Sequence, residues 1–367
     1  MTATHHASPL NVVTLFSGYD SQCLALRRLG VPFRLAAWCE TDRAAIRAHD
    51  ALFPEAASRN VGDISRADWA AIEGPVHLLT YSSPCQDFST MGLRKGGKAG
   101  SNTRSSLLWE SLRAIRALSP SYLIFENVPN LLSAQFKPTF LKWVGALSDI
   151  GYDSHHAILD AFRYGVPQER KRLFMVSIRR DIGRAYHFPR PMPPCRNLGS
   201  LIDDDPADAR WLSPQQLSHV VYRNEREKAQ RCGRSRLLVP YPYRIAHNTL
   251  TTQGGDHGSF SCTRLILRRG HEARASSMGP WDKRGGWKAA RMASPIPLCR
   301  PLTPCEAFRL MGLNDGEITT ILALGLSRSA LFRLAGNSIV VPVLAHIMRT
   351  LITNDVADPG TQLTLAF

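Results

Sequence analysis

Residues 12–21 have the sequence VVTLFSGYDS, in which an apolar, β-branched run leads into a turn containing Gly18 and then into a helical pattern. A glycine turn between a first strand and a helix brings backbone N–H groups and the helix N-terminus close to a ligand. Five further apolar runs predict strands, and amphipathic stretches between them predict helices. The predicted strands are Val12–Phe16, Leu35–Cys39, His77–Tyr81, Tyr122–Phe125, His156–Leu159 and Leu173–Ile178. The predicted helices are Cys23–Leu29, Arg43–Leu52, Ser106–Leu118 and Phe140–Ile150.

This alternation predicts an α/β fold with a wound, mostly parallel sheet and with ligands at the carboxyl ends of the strands. The pattern breaks down from about residue 182, where proline-rich and then irregular sequence follows. Periodicity returns at Thr303, which forms a predicted capping box with Glu306, and a final helix is predicted over Val340–Leu351. We therefore expect three parts. They are a catalytic domain at 1–181, a recognition domain at 182–300 and a C-terminal segment at 301–367 that folds back on the first.

The net charge of +15 is unevenly distributed along the 367 residues. Residues 1–181 carry +5, residues 182–300 carry +11 and residues 301–367 carry −1. A concentrated basic excess indicates a polyanionic partner, with nucleic acid first and an anionic membrane second. The middle segment is therefore the predicted site of contact with that partner.

The composition excludes several other classes of protein. With 44% hydrophobic and 20% charged residues, the chain has the composition of an ordinary globular protein. No run of about 20 apolar residues and no signal-peptide pattern is visible, so we expect a cytoplasmic protein without a membrane anchor. The eight cysteines include no CxxC pair, which argues against a zinc site and for a reducing compartment.

Two strand ends carry residues suited to covalent catalysis. Cys85, in SSPCQDFS at 82–89, follows a predicted strand and is held by Pro84. A cysteine in that place is a candidate nucleophile, although a free cysteine is more commonly a small buried apolar residue. Glu126, in FENVP at 125–129, places a carboxylate at the end of a neighbouring strand and favours the catalytic interpretation.

Two acidic residues suggest a nucleoside site near the first turn. Glu40 ends the second predicted strand about 20 residues beyond the turn, where such folds place an acid on a ribose hydroxyl. Asp63, beside Ile64, would follow a third strand and accept a hydrogen bond from an adenine amino group. Each acid alone is better explained as a helix N-cap or a solvated loop carboxylate. Together they indicate a bound nucleoside.

With these motifs in view, nearly the whole chain resembles the DNA cytosine-5 methyltransferases of the bacterial and phage type. Five blocks occur in the order of that family, with the basic segment between the fourth and the fifth. The blocks are the Phe16 turn with Glu40 and Asp63, Pro84-Cys85-Gln86, Glu126-Asn127-Val128, Gln168-Glu169-Arg170-Lys171-Arg172 and Gly336-Asn337-Ser338. The resemblance implies a Rossmann-like, S-adenosylmethionine-dependent methyltransferase with a mixed sheet and a small irregular target-recognition domain inserted before the C-terminal helices.

The resemblance also implies roles for single residues. Cys85 would add to carbon 6 of cytosine, and Glu126 would bind ring nitrogen 3 and the exocyclic amine. Arg172, with Arg170 in support, would hold oxygen 2 of the base. The cofactor would be S-adenosylmethionine, with Phe16 on the adenosine, Glu40 on the ribose hydroxyls, and Asp63 with Ile64 on the adenine. The remaining implied cofactor contacts are Ser17, Gly18, Pro84, Asn337 and Ser338.

The implied partner is duplex DNA, from which the target cytosine is flipped into the pocket. A glycine-rich basic stretch over 87–106 would close on the DNA, and a Thr-Leu dipeptide in the middle segment resembles one found in such recognition domains. The predicted DNA contacts are Arg94, Lys95, Arg104, Thr249, Leu250, Gln253 and Arg264. A monomer is expected, and a cognate restriction endonuclease, without a stable complex, is left open.

The first turn departs from the family pattern Phe-x-Gly-x-Gly-Gly. Asp20 and Ser21 stand at the last two positions, and Thr41 rather than a bulky residue follows Glu40. Because Asp tolerates a positive φ better than most residues, we expect a retained but reshaped site.

The leading hypothesis is a sequence-specific DNA cytosine-5 methyltransferase. The alternatives are a tRNA cytosine-5 methyltransferase, which shares the Cys85 and Glu126 blocks, and a catalytically silent DNA-binding protein on the same scaffold. The presence of Cys85, Glu126 and Arg172 together argues against the silent protein.

Overall fold

The computed structural model describes residues 9–83, 107–193, 197–212, 238–239, 246–250, 265–267 and 299–353. The strands are β1 Leu10–Leu15, β2 Phe33–Cys39, β3 Leu78–Tyr81, β4 Tyr122–Asn127, β5 Tyr152–Asp160, β6 Gln168–Glu169, β7 Lys171–Arg179, β8 Leu238–Val239, β9 His247–Asn248, β10 Leu265–Leu267 and β11 Cys299–Arg300. The helices are α1 Ser21–Arg28, α2 Arg43–Leu52, α3 Leu107–Leu118, α4 Lys137–Asp149, α5 Pro304–Arg309, α6 Asp315–Leu322, α7 Arg328–Asn337 and α8 Val341–Thr353.

Six strands form one mixed sheet in the order β2-β1-β3-β4-β7-β5. The first four are parallel, because helices carry the chain back between them, whereas β7 runs antiparallel to both β4 and β5. The prediction of an α/β fold with a mixed sheet is confirmed. β1 has β2 on one side and β3 on the other, so the strand order reverses there, and folds of this kind bind ligands at the carboxyl ends of the strands beside such a reversal.

Both faces of the sheet are buried, and successive side chains of β1 pack alternately into the two cores on opposite faces of the sheet. Val12 packs into a core shared with α1, α2 and the C-terminal helices. Val13 and Leu15 pack into a second core with α3 and α4. Helix α8 contacts α1, so the end of the described chain covers the helix that follows the first turn.

The C-terminal helices begin with the capping box expected from the sequence. The Thr303 hydroxyl accepts from the Glu306 backbone N–H at 3.2 Å, and Glu306 accepts from the Thr303 N–H at 2.8 Å. Residues 328–352 are long and apolar enough to cross a membrane by composition alone, but 78% of their most apolar window is buried in the fold.

Glu306 also anchors the inserted middle segment at both of its ends. Its carboxylate makes two 2.7 Å contacts with the guanidinium of Arg300, at the exit of the segment. It accepts from the backbone N–H of Asp203 at 2.9 Å, near the entry, and Arg300 donates to the Asp203 carbonyl at 2.6 Å. Arg300 and Glu306 are fully buried, so one ion pair ties entry and exit together.

Candidate active site

The carboxyl end of β4 presents Glu126 as a buried carboxylate. The residue is 8% exposed, and Nε of Arg172 lies 3.1 Å from its Oε1. Burial raises the pKa of Glu126, while the positive charges of Arg172 and Arg170 oppose that shift. Arg172 stands on β7, the antiparallel neighbour of β4, so the pairing of the strands brings the two side chains together. The Arg172 guanidinium can donate hydrogen bonds to a polar ring, and the Glu126 carboxyl group can bind the same ring.

Asn127 links this strand end to the end of β3. Its side-chain amide nitrogen lies 3.2 Å from the carbonyl and 3.4 Å from the hydroxyl of Ser83, which is 2% exposed. Its Oδ1 accepts from the Val128 N–H at 2.9 Å. Sequence reasoning assigned no role to Asn127, although an amide beside a candidate acid at a strand end is a visible signal.

The turn after β1 takes a conformation that points to a ligand. Phe16, Gly18 and Asp20 have φ values of 56°, 59° and 66°. A positive φ is uncommon for residues other than glycine, and a bulky side chain such as Phe16 makes it an outlier that clusters at binding sites. A Cβ placed on Gly18 would meet no atom within 4 Å, so open space lies beside this backbone.

Glu40 closes the turn against the end of β2. Its Oε2 accepts from the Gly18 N–H at 3.0 Å, and its Oε1 accepts from the N–H groups of Thr41 and Asp42 at 2.7 and 2.9 Å. Asn60, which the sequence did not single out, accepts from the Glu40 N–H at 3.3 Å and donates to its carbonyl at 3.2 Å. The carboxylate is therefore held beside the open space at Gly18.

Asp63 and Ile64 lie in a loop rather than after a third strand as the sequence predicts. Asn60 makes only an isolated bridge with Trp38 before that loop. Asp63 accepts from the Ser65 N–H and hydroxyl at 2.9 and 2.8 Å, and these bonds lower the pKa of its exposed carboxyl group. Ile64 is 2% exposed.

Arg170 joins three parts of the chain from a buried position. Its guanidinium donates to the carbonyls of Leu250, Gly336 and Ser338 at 3.1, 2.9 and 2.7 Å. The side chain is 3% exposed, and its bonds end on backbone groups of the middle segment, of the last turn of α7 and of Ser338, which follows α7. This placement favours a positioning role over direct support of the base.

The turn after α7 reaches the first turn through Ser338. The Ser338 hydroxyl donates to the hydroxyl of Tyr19, which is 1% exposed and which sequence reasoning missed. Asn337, the last residue of α7, is exposed. The contact of this turn that the structure shows is with Tyr19, and its contribution to a cofactor site stays a prediction.

Thr249 and Leu250 are held by the block that contains Arg170. The Thr249 hydroxyl donates to the Glu169 carbonyl at 2.7 Å, and the Leu250 N–H donates to the side chain of Gln168 at 3.2 Å. Leu250 is 4% exposed, so its side chain does not lie on a surface. The structure therefore shows Leu250 as an anchored residue, and its predicted contact with DNA stays a prediction.

The remaining candidate residues lie outside the described part of the chain. They are Pro84, Cys85, Arg94, Lys95, Arg104, Gln253 and Arg264. Within the described ranges, no group of three or more His, Cys, Asp or Glu side chains could hold a metal ion.

Comparisons with known proteins cover almost the whole chain. A family model described as C-5 cytosine-specific DNA methylase matches residues 10–353. The type II methyltransferase M2.ScrFI of Lactococcus lactis subsp. cremoris is 31% identical over 294 residues, which cover 80% of this chain and 71% of that protein. The orphan methyltransferase M.SPBetaI of Bacillus phage SPbeta is 25% identical over 435 residues, which cover 94% of this chain and 98% of the phage protein. The crystal structure of a Spodoptera frugiperda DNMT2 mutant superposes with a TM-score of 0.72 at 18% identity and covers 93% of this chain and 99% of its own.

Proposed function

We propose how the side chains of the candidate site divide the work of methyl transfer in this chain, which belongs to the C-5 cytosine-specific DNA methylase family. The chain is a DNA cytosine-5 methyltransferase that uses S-adenosylmethionine. The finer proposal is that it acts on one cytosine of a specific sequence in duplex DNA, as a monomer in the cytoplasm, after that base has been flipped out of the stack. A restriction endonuclease of the same specificity would need no stable complex with it.

Cys85 is the proposed nucleophile. Carbon 5 of cytosine is too electron-poor to accept a methyl group unaided, so the thiolate adds to carbon 6 and turns the ring into an enamine. Cys85 stands two residues after Ser83, and two residues of chain reach at most about 7 Å. Asn127 holds Ser83 beside Glu126, which supports a meeting of nucleophile and carboxyl group over one base.

Glu126 and Arg172 are the proposed grip on the base. Glu126 would bind ring nitrogen 3 and the exocyclic amine, stabilising the charge that develops as sulfur adds, and Arg172 would bind oxygen 2. The Nε of Arg172 at 3.1 Å from Oε1 of Glu126 is the observation that carries this proposal, because it brings polar groups of the neighbouring strands β4 and β7 to one place. After methyl transfer, a base or a water molecule takes the proton from carbon 5, and the electron pair of that C–H bond expels the thiolate from carbon 6 and restores the ring.

The turn after β1 is the proposed cofactor site. S-adenosylmethionine supplies the methyl group as an electrophilic carbon attached to a sulfonium. The open space at Gly18, the Glu40 carboxylate held next to it and buried Ile64 fit a nucleoside, with Phe16 and Asp63 on the adenine side and Ser17 in the turn. Pro84, Asn337 and Ser338 are the proposed closing residues. Arg94, Lys95, Arg104, Thr249, Gln253 and Arg264 are the proposed DNA contacts.

The function is tested by bisulfite sequencing of DNA from cells that express the wild-type chain, Cys85→Ser or Cys305→Ser. Cys305, a half-buried cysteine on α5, is the matched control. We expect methylated cytosines within one recurring sequence for wild type and Cys305→Ser, and none for Cys85→Ser.

A duplex with 5-fluorocytosine at the target should form a covalent adduct with the wild-type chain, because fluorine blocks the elimination step. Full activity of Cys85→Ser would overturn the mechanism. Methylation of tRNA without methylation of duplex DNA would overturn the substrate.

A further inference from the structure

Beneath the first turn lies a buried polar network in which only Ser17 has a role in the proposed function. Asp20, which stands where the family pattern has glycine, is fully buried and adopts φ = 66°. Glycine takes this conformation without strain, so the aspartate must be explained by its side chain. Its Oδ1 accepts from the Cys23 N–H at 3.1 Å and thereby caps α1.

The other carboxylate oxygen of Asp20 ends a chain of hydrogen bonds. The Thr14 hydroxyl donates to Oδ2 at 2.8 Å and lies 2.8 Å from the Ser17 hydroxyl. Thr14 spends its only hydroxyl proton on Asp20, and the single proton of the Ser17 hydroxyl has two acceptors within reach, the Thr14 hydroxyl at 2.8 Å and the Thr14 carbonyl at 2.9 Å. The Ser17 hydroxyl in turn accepts from the Cys39 N–H at 3.3 Å, one residue before Glu40.

His49 faces the same Oδ2 from helix α2. Its Nε2 lies 3.5 Å from Asp20, and its ring stacks on Trp38 with the centroids 3.5 Å apart and the planes at 16°. His49 is fully buried, and neither ring nitrogen has a hydrogen bond of ordinary geometry among the described residues. Its Nδ1 faces Asp50 at 3.6 Å. Because burial of a polar group without a partner costs free energy, the approach of the His49 imidazole to the buried Asp20 carboxylate is favourable.

We propose that Asp20 and His49 form a buried positioning pair that sets the geometry of Gly18 and Glu40, and hence the affinity for S-adenosylmethionine. The inference rests on the proposed cofactor site. The pair acts through Thr14 and Ser17 on the ends of β1 and β2, which the ligand would meet. These ends are linked across the turn, because the Gly18 N–H donates to the Glu40 carboxylate and the Ser17 N–H donates to the Cys39 carbonyl. Neither residue touches the base, so the methyl-transfer step itself is unaffected.

The variants separate this role from simple helix capping. Asp20→Asn keeps an oxygen for the Cys23 N–H but presents an amide group where Oδ2 accepted from Thr14. Thr14→Val cuts the same link from β1 without a change of shape, and Thr14→Ser keeps the hydroxyl. Ser327→Ala is the control, since Ser327 caps α7 through the Ala330 N–H at the helix end remote from Asn337.

The dissociation constant for S-adenosylmethionine is measured by calorimetry on the full chain, with kcat and the KM for a methylatable duplex alongside. We expect Asp20→Asn, Thr14→Val and His49→Gln each to raise the dissociation constant about tenfold. We expect kcat at saturating cofactor and the KM for DNA to change less than twofold. Thr14→Ser and Ser327→Ala should bind the cofactor as wild type does. Asp20→Asn with His49→Gln should lose no more than the larger single loss, because the two residues act as one unit.

Wild-type affinity in Asp20→Asn, or an equal fall of cofactor and DNA binding in all variants, would overturn the inference. Failure of the proposed function is distinguishable, since in that case the wild-type chain itself would neither bind S-adenosylmethionine nor methylate DNA.

Discussion

Two arginines that stand two positions apart perform different tasks in this fold. Arg172 keeps part of its guanidinium accessible and pairs with Glu126, whereas Arg170 is buried and donates to three backbone carbonyls. A planar fork with five N–H donors suits both tasks, which is why the residue type alone cannot separate them. Only the strand pairing shows that Arg172 lies beside Glu126 and that Arg170 is buried among backbone carbonyls.

Burial of Glu126 gives a pH dependence that can be measured. Because its pKa is raised in the fold, its contribution to stability is present below its unfolded pKa and is lost as the pH rises through the raised value. We expect Glu126→Gln, which has no charge to desolvate, to melt at or above the wild-type temperature at pH 8. The difference should shrink toward pH 4. Activity should nevertheless fall about 10²-fold, as when a group that stabilises developing charge is lost.

Differential scanning fluorimetry between pH 4 and 8, with Arg172→Lys as a second variant, measures this effect. A Glu126→Gln protein that melts well below the wild-type protein at pH 8 would contradict the prediction, if the two melting temperatures approach each other at low pH only because the wild-type protein itself unfolds there. So would full activity of the glutamine variant.

At the scale of elements, local signals predicted the boundaries best. Helix α2 begins and ends where the sequence predicts, because Asp42 caps its first turn and accepts from the N–H groups of Ala44 and Ala45. The capping box at Thr303 was equally legible. In contrast, β6 pairs with β9 across some 80 residues, and no local pattern predicts such a partner. The hydrogen bond between Leu250 and Gln168 could not be predicted for that reason.

The residues of the candidate site likewise divide into those that local sequence patterns place and those that depend on contacts between distant elements. Glu40, Glu126 and the first turn lie at strand ends, and the period of the apolar runs places those three ends to within two residues. Asp63 was predicted after a strand that the chain does not form, since the apolar residues around Ile64 pack as a loop on the second core. Asp20 and His49 belong to different elements, so their contact depends on how α1 and α2 pack.

The ion pair that closes the inserted segment should show a strong asymmetry between single and double variants. Glu306→Gln leaves the guanidinium of Arg300 buried without a counter-charge, and we expect a loss of about 3–5 kcal/mol in the free energy of unfolding. Arg300→Met with Glu306→Gln should recover most of that loss, because no buried charge remains.

Urea denaturation of the full chain provides the measurement, and Asp181→Asn is the control. Asp181 pairs with Arg179 at the surface, where the loss of an ion pair has little effect. A Glu306→Gln protein as stable as this control would contradict the anchoring role of the pair.

At the scale of the whole molecule, most of the net positive charge lies outside the parts that carry the residues proposed for catalysis and cofactor binding. The parts that build the sheet and its C-terminal cover carry +5 and −1, whereas residues 182–300 carry +11. A segment that neutralises several phosphates releases their counterions, so binding depends steeply on salt. We expect the same segment to supply base contacts as well, because charge alone carries no sequence information.

We expect the affinity for a duplex to fall about 10²-fold or more between 50 and 200 mM NaCl. The affinity for S-adenosylmethionine should change little, because its site is formed by the nearly neutral parts. Fluorescence anisotropy of a labelled duplex and calorimetry with the cofactor give the two salt slopes. Equal slopes would show that the basic segment is not the DNA-binding surface.

The contact between α1 and α8 has a consequence for how the chain is made. Helix α1 ends at Arg28 and α8 begins at Val341, so roughly 300 residues separate an apolar surface from its cover. At about 5–20 residues per second, a ribosome needs about 15–60 s to supply that cover. During this time the newly made helix exposes Leu24 and its apolar neighbours, which makes slow, chaperone-assisted completion of the fold the expected route. A release of the chain before α8 would leave every proposed active-site residue up to Asn337 in place and still yield an aggregation-prone product.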